Sequence, residues 1–220
     1  MKVAHIGTCE IPVYHRLGGA IQRRIREIAQ IQSARGDNVL VYSAGSAYHA
    51  DWQQGSEHRT IACRLPRPSR DFEFLGRVLR DLTAFRPDVI HFHAVPEGAA
   101  LARCFGLRAK TFLSYDYFVF RHGTATPLFH LYRKALGMFS VLLPVSHFCR
   151  VKSVEYWSIG KERIEVLYNG VNVHQFRPDP PAGRAMRATL GLGSAPVILY
   201  VGRVCEQKGT DVLLQAYSRV

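Results

Sequence analysis

Short apolar runs alternate with helical patterns along most of this chain, and this alternation constrains the fold more than any other feature. Each apolar run is too short for a helix and is bounded by turn residues, so it predicts a buried strand. The predicted strands are Lys2–Gly7, Asn38–Tyr42, Thr60–Leu65, Val89–His93, Ala109–Leu113, Val141–Val145 and Arg163–Tyr168. Between them, apolar residues recur at helical spacing, as in Ile21, Ile25 and Ile28, in Phe72–Phe85 and in Pro96–Phe105. Strands alternating with helices predict a doubly wound α/β fold with a parallel, Rossmann-like sheet.

The amino-acid composition of the chain changes after residue 170. Residues 171–195 contain prolines at 178, 180 and 181 and read as a linker with one short helix near Ala185–Leu190. Pro196–Val201 predicts a new strand, and Asp211–Val220 resumes helical spacing. We therefore expect a first domain at 1–170, a linker at 171–195, and the first βα unit of a second Rossmann-like domain at 196–220. About 25 residues cannot bury a core of their own, so we expect the chain to lack most of that second domain.

Composition and charge limit the class of protein and its partners. Lysine and arginine number 29 against 17 acidic residues, a net charge of +12, and 47% of residues are hydrophobic, enough for a core. No apolar run reaches the length of a membrane span, the start does not resemble a signal peptide, and the five cysteines are widely spaced. We expect a cytoplasmic protein without a disulfide framework.

The basic charge favours anionic partners. Arginines such as Arg23, Arg24 and Arg26 are spread out and are not interleaved with exposed aromatic residues, so nucleic acid is a poor match. An anionic lipid surface, such as that of the inner membrane, fits better. Ordinary solvated helix faces explain the same charges equally well.

Ligands of doubly wound sheets bind beyond the carboxyl ends of the strands, so the loops there supply the first candidates. Gly18 and Gly19 precede a helix, where bare backbone N–H groups can bind phosphate, although a turn or close packing also requires such glycines. His91 and His93 end a strand on the same side of the pleat. No third ligand of convincing spacing follows them, so we predict no metal site, interpret His91 as structural and keep His93 as a candidate catalytic residue.

Two further loops carry candidate residues. Tyr115 and Asp116 end a predicted strand, where they can orient a sugar hydroxyl or assist a proton; Asp116 can equally cap a turn. Arg203 and Lys208 lie on a loop bracketed by Gly202 and Gly209, a pattern suited to a diphosphate and also common in surface loops.

Several motifs occur together in one order. They are Gly18-Gly19-Ala20, Asp88-Val-Ile-His91-Phe-His93, Val145-Ser146, Asn169-Gly170-Val171 and the loop from Gly202-Arg203 to Lys208-Gly209. In this arrangement the chain resembles family 4 glycosyltransferases of the GT-B fold over essentially its whole length. The resemblance implies a cleft between two Rossmann-like domains, with the nucleotide-sugar donor mainly on the C-terminal one and a glycan or lipid-linked acceptor on the N-terminal one. It also implies transfer with retention of configuration, typically in polysaccharide biosynthesis, and no metal.

The resemblance assigns roles to the candidate residues. Gly18, Gly19, Arg203 and Lys208 are expected to bind the donor diphosphate, and Asn169 and Gly170 are expected to be structural. Tyr115 stands where the family often has a histidine, and tyrosine cannot take up a proton near neutral pH as histidine does.

The family's paired glutamates have no counterpart before Val220. We therefore expect this chain alone not to be a competent enzyme. A non-catalytic binding or scaffolding module and a gene fragment or shortened product without a function of its own remain alternatives.

Overall fold

The structure is a computed structural model that describes residues 1–9, 13, 19–44, 57–64, 69–116 and 127–219. The chain divides into two compact units, Met1–Gly170 and Val171–Val220. No described helix is both long and apolar enough to cross a membrane.

The first unit is built on a parallel sheet of six strands. Their order across the sheet is β3-β2-β1-β4-β5-β6, so β1 and β4 are the central neighbours. This is the order of a Rossmann-like, doubly wound fold, and the direction of winding reverses between β1 and β4. The strands are β1 Lys2–Ile6, β2 Asn38–Ala44, β3 Glu57–Ile61, β4 Val89–His93, β5 Lys110–Tyr115 and β6 Val141–Pro144.

Five described helices connect and cover these strands: α1 Ala20–Ala34, α2 Ser69–Phe85, α3 Gly98–Cys104, α4 Pro127–Leu136 and α5 His147–Trp157. Helix α1 ends just before Gly36, which lies in the left-handed region at a φ of 88°. Ser146 is the N-cap of α5, and its hydroxyl accepts a hydrogen bond from the Cys149 N–H at 3.2 Å.

The two faces of the sheet bury different clusters. The smaller cluster lies on the α1 face and contains Val3, Val13, Ile25, Ala29, Val39 and Val41. The larger cluster packs α2 and α3 against the opposite face, with Phe74, Leu79, Leu82, Tyr42, Ile90 and Phe92 all fully buried. Burying apolar residues on both faces is what a parallel sheet requires, so this part of the prediction is confirmed.

Two predicted strands in the first unit differ in the structure. Strand β3 begins at Glu57 rather than Thr60, because its polar residues pair with β2 at an edge that keeps part of each side chain in solvent. Arg163–Tyr168 forms no regular strand. Ile164 makes one parallel bridge to Leu142. The Glu165 N–H donates to the Leu142 carbonyl and the Leu167 N–H to the Pro144 carbonyl, both at 2.9 Å.

The second unit contains two helices, α6 Pro180–Thr189 and α7 Thr210–Tyr217. Asp179 caps α6 by accepting a hydrogen bond from the Ala182 N–H, so this helix starts earlier than the predicted one. The predicted strand Pro196–Val201 is not formed. Its apolar side chains are exposed, 80% for Leu199 and 85% for Val201, and the described part of this unit offers no neighbouring strand to pair with it.

Candidate functional site

The carboxyl ends of β1, β4 and β5 bring several polar side chains together at the point where the sheet reverses its winding. Ala94 follows β4 and has a φ of 57°, a left-handed backbone that a residue with a Cβ seldom adopts. Its N–H donates to the Ser114 carbonyl at 2.8 Å, which fixes this turn against β5. Strained backbone of this kind clusters at functional sites, which directs attention to this edge.

A buried ion pair joins α1 to the end of β5. The Arg24 guanidinium, with 6% of its side chain exposed, pairs with the Asp116 carboxylate and donates through Nε to Oδ1 of Asn169 at 2.6 Å. Burial lowers the pKa of Arg24, although a guanidinium keeps its charge in proteins. Oδ2 of Asp116 is buried and has no hydrogen-bond partner among the described residues. Arg24 therefore fixes both Asp116 and the segment at Asn169.

Sequence analysis missed this arrangement. Arg24 was grouped with arginines spread over the surface, and that interpretation is wrong for this residue, whose guanidinium is buried. Its neighbour Arg23 does fit the surface interpretation, because it is exposed and pairs with Glu27 one helical turn away at 2.9 Å. The signal available in the sequence was the position of Arg24 next to Ile25, on the apolar side of α1.

Three buried histidines lie on the α1 face of the central strands. His5 stands opposite His91 in the register of β1 and β4, and its Nδ1 lies 3.1 Å from Nε2 of His93. On its other side, His5 Nε2 contacts Oε1 of Gln32 at 2.7 Å, while His91 Nε2 contacts the Ser114 hydroxyl at 2.7 Å. The structure thus supplies the third histidine that spacing along the chain did not reveal.

These contacts fix the protonation of two rings. Because the Gln32 oxygen can only accept, His5 carries its proton on Nε2 and presents a lone pair at Nδ1. His93 then donates to that lone pair from Nε2, and its own Nδ1 is a bare acceptor, buried without a partner among the described residues. Burial lowers the pKa of His5 to about 4, and burial together with the neighbouring histidines and Arg24 lowers the pKa of His91 and His93 well below 6.5. All three rings are therefore neutral at pH 7.

Tyr115 is directed away from this cluster. Its neighbour Ser114 faces the histidines, whereas the Tyr115 hydroxyl contacts Ser153 Oγ of α5 at 2.7 Å. Ser153 in turn donates to the Cys149 carbonyl at 2.7 Å, so Tyr115 acts as the donor to Ser153. Burial raises the pKa of Tyr115 to about 12. The structure thus brings Asp116 close to Arg24, but it does not unite Tyr115, Asp116 and His93 in one cluster.

The predicted phosphate-binding glycines are described in part. Gly18 lies outside the described residues. Gly19 is the N-cap of α1, and a Cβ at this position would collide with the Gln22 side-chain oxygen. Gln22 is buried and donates to Thr8 at 3.3 Å, which ties the start of α1 to the loop after β1. A larger residue at position 19 would therefore have to displace the Gln22 side chain, and glycine itself leaves the first N–H groups of α1 without a side-chain cap.

The predicted cations of the diphosphate loop belong to the second unit. Arg203 and Lys208 are both exposed. The Arg203 carbonyl accepts a hydrogen bond from the Tyr200 hydroxyl at 2.9 Å, and Gly209 closes the loop in the left-handed region at a φ of 61°. The same glycine begins α7, so the loop leads directly into a helix.

Glu97 is a further polar residue of this edge that sequence analysis did not single out. It lies after β4 as the N-cap of α3. Burial, with a smaller contribution from the charge of Asp71, raises the pKa of its carboxyl group. A partly buried acid with a raised pKa beyond a parallel strand is a further candidate for this site.

The strand order is that of a Rossmann-like, doubly wound domain, and its polar residues gather at the reversal point where such sheets bind ligands. Residues 18–175 match the model of Glycosyltransferase Family 4. This match spans more than half of the 220 residues, and the chain belongs to that family.

Known relatives agree with this family. YtcC of Bacillus subtilis (strain 168), provisionally named a glycosyltransferase, is 26% identical over 100% of this chain and 53% of its own length. This chain therefore spans about half of that relative. A glycosyltransferase from Rickettsia africae ESF-5 superposes with a TM-score of 0.74 at 17% identity, over 99% of this chain and 57% of that one. Anabaena Alr3699/HepE, solved in complex with UDP, superposes with a TM-score of 0.68 at 17% identity, over 100% of this chain and 58% of that one.

Proposed function

We propose that this chain forms part of a retaining glycosyltransferase, which moves a sugar from a nucleotide-sugar donor to a glycan or lipid-linked acceptor. The observation that carries the proposal is the family match over residues 18–175, which spans the polar edge of the first unit. The Met1–Gly170 unit serves as the acceptor side and residues 196–220 belong to the donor side, with 171–195 as the linker between them.

The donor diphosphate is the first group that this function must bind. As the sugar is transferred, negative charge grows on the departing diphosphate, and stabilising it in a site shielded from water lowers the barrier by several kcal/mol. We assign this task to Arg203 and Lys208 and to the N–H groups of Gly18 and Gly19, with no metal in the transfer step. The UDP bound to the structural relative HepE supports a nucleoside diphosphate as the ligand.

On the acceptor side, we assign Asp116 to hold a sugar hydroxyl. Arg24 fixes one of its carboxylate oxygens, and Oδ2 has no partner among the described residues and can accept from a hydroxyl. Tyr115 and His93, the other candidates, serve to hold the ends of β5 and β4, because their described hydrogen bonds are made within the protein.

A lipid-linked acceptor suits the surface of α4. Leu131 is 64% exposed on this helix, next to the exposed cations Arg133 and Lys134. An exposed apolar side chain flanked by cations fits an anionic membrane surface. We propose that this helix makes peripheral contact with the cytoplasmic surface of the inner membrane.

The proposal is tested by incubating the gene product that contains this chain with UDP-linked and GDP-linked sugars and following nucleotide release. Donor-dependent release that falls in an Asp116→Asn variant supports it. If the folded protein neither binds UDP or GDP in calorimetry nor releases either, the enzyme assignment fails.

A non-catalytic module is the second candidate. The position of the Tyr115 hydroxyl favours it, because the residue that replaces the family histidine is hydrogen-bonded to Ser153 and not free for proton transfer. Retained acceptor binding without donor binding or turnover would select this candidate.

A further inference from the structure

The histidine cluster between the sheet and α1 has the composition of a metal site. His5, His91 and His93 each offer one ring nitrogen, and these three atoms lie within 4.8 Å of one another. The rings are close, with centroids 4.1 Å apart for His91 and His93 and 5.2 Å apart for His5 and His91. Exposure is 0% for His5 and His93 and 7% for His91. Neutral, closely grouped imidazoles are good ligands for late divalent metals.

The hydrogen bonds around the cluster orient the rings as a metal site requires. In such sites the ring nitrogen that does not bind the metal donates to a neighbouring oxygen, which fixes the ring and its tautomer. His5 meets this condition through Gln32 Oε1 at 2.7 Å. His91 can meet it through the Ser114 hydroxyl at 2.7 Å, and with its proton on Nε2 the Nδ1 atom is left for a ligand.

The distances at the centre of the cluster fit one ion. Nδ1 of His5 and Nε2 of His93 are 3.1 Å apart. Two nitrogens bound to one tetrahedral Zn²⁺ at about 2.0–2.1 Å lie about 3.3 Å apart, so a small movement suffices. The proton on His93 Nε2 then moves to Nδ1 of the same ring, the atom that has no described partner. His93 stays neutral through this exchange of tautomers.

We propose that His5, His91 and His93 form a buried site for Zn²⁺ that joins β1 to β4. Three imidazoles leave a fourth position of the tetrahedron for water. The positive charge of Arg24 acts on His91 and His93 and disfavours a cation beside them, but this guanidinium is paired with the Asp116 carboxylate. The site stands apart from the proposed transfer chemistry and does not rest on it.

Cobalt is a suitable probe, because Co²⁺ replaces Zn²⁺ and absorbs visible light most strongly in tetrahedral sites. Protein dialysed against a chelator and then titrated with Co²⁺ is expected to develop this absorption with about one equivalent, as the three-histidine site predicts. Added Zn²⁺ is expected to bleach it. A folded protein that develops no such absorption overturns the proposal.

Two variants locate the ion. His5→Gln is expected to abolish the absorption, whereas the matched surface variant His147→Ala is expected to retain it, because His147 is exposed. If the absorption is lost in His147→Ala and retained in His5→Gln, the assignment of the ligands is overturned. Gln32→Ala keeps all three ligands and covers the case in which His5→Gln fails to fold. We expect it to weaken Co²⁺ binding by about 10-fold to 100-fold, and unchanged affinity overturns the assignment of Gln32.

Discussion

Replacing Arg24 with methionine tests whether the buried ion pair organises the edge of the first unit. Methionine keeps much of the aliphatic packing of the side chain but leaves the Asp116 carboxylate without its counter-ion. Removing one partner of a buried pair costs about 3–5 kcal/mol. The Asp116 side chain keeps 18% exposure, which lets water solvate part of the charge, so we expect about 3 kcal/mol at the lower end of that range.

Urea unfolding followed by far-ultraviolet circular dichroism measures this cost. With an m-value of about 3 kcal/mol/M, the midpoint is expected to fall by about 1 M. Arg23→Met is the matched control, because the exposed pair that it breaks with Glu27 is worth only about 0.3–0.5 kcal/mol.

A double-mutant cycle with Asp116→Asn isolates the pair itself. If the pair organises this edge, Arg24→Met costs roughly 2 kcal/mol less in the Asp116→Asn background than in the wild type. Additive effects, or an Arg24→Met cost no larger than that of Arg23→Met, would refute the reasoning.

Three other predictions use different groups. Tyr115→Phe removes the donor to Ser153, so we expect a loss of about 1 kcal/mol in unfolding free energy with kcat unchanged; a tenfold fall in kcat would make Tyr115 catalytic. The raised pKa of Glu97 means that the folded state binds its proton more tightly than the unfolded state. Its contribution to stability is therefore present at low pH and is lost as pH rises above about 4.5. In urea unfolding at a series of pH values, the wild type should lose stability relative to Glu97→Gln across that range. Unfolding free energies that change with pH in the same way for both proteins would contradict this. Arg203→Ala and Lys208→Ala change exposed side chains, so calorimetry should show weaker UDP binding with the melting temperature unchanged; unaltered binding in both would remove them from the donor site.

Local sequence patterns were sufficient for most strands of the first unit, although not for the start of β3 or for residues 163–168. Strands such as Val89–His93 are short apolar runs bounded by turns, and their boundaries agree with the structure. Pairing between elements was harder to predict. The run at 196–201 has the composition of a strand, yet a strand also needs a neighbour for its N–H and C=O groups, and composition does not report one.

The candidate site shows the same limit. Asp116 could be placed at the edge of the sheet because it follows a predicted strand. Its partner Arg24 lies on a helix 92 residues earlier, and His5 meets His93 across 88 residues, so neither contact leaves a signal in local spacing. Ser114 and Tyr115 are adjacent in the chain but face opposite sides of the pleat, so the Tyr115 hydroxyl lies on the side away from the histidines.

The central place of β1 has a consequence for the order in which the chain can fold. One edge of β1 pairs with β2, the next strand in the chain, but the other edge stays unpaired until β4 has been synthesised. Forty-four residues lie between Ala44 and Val89, and a ribosome adding about 5–20 residues per second needs roughly 2–9 s to supply them. During that interval the growing chain carries an unpaired edge beside His5. We expect the nascent chain to be most prone to aggregation in this window, and arrested chains ending before Val89 to be more sensitive to protease than chains that include β4 and β5.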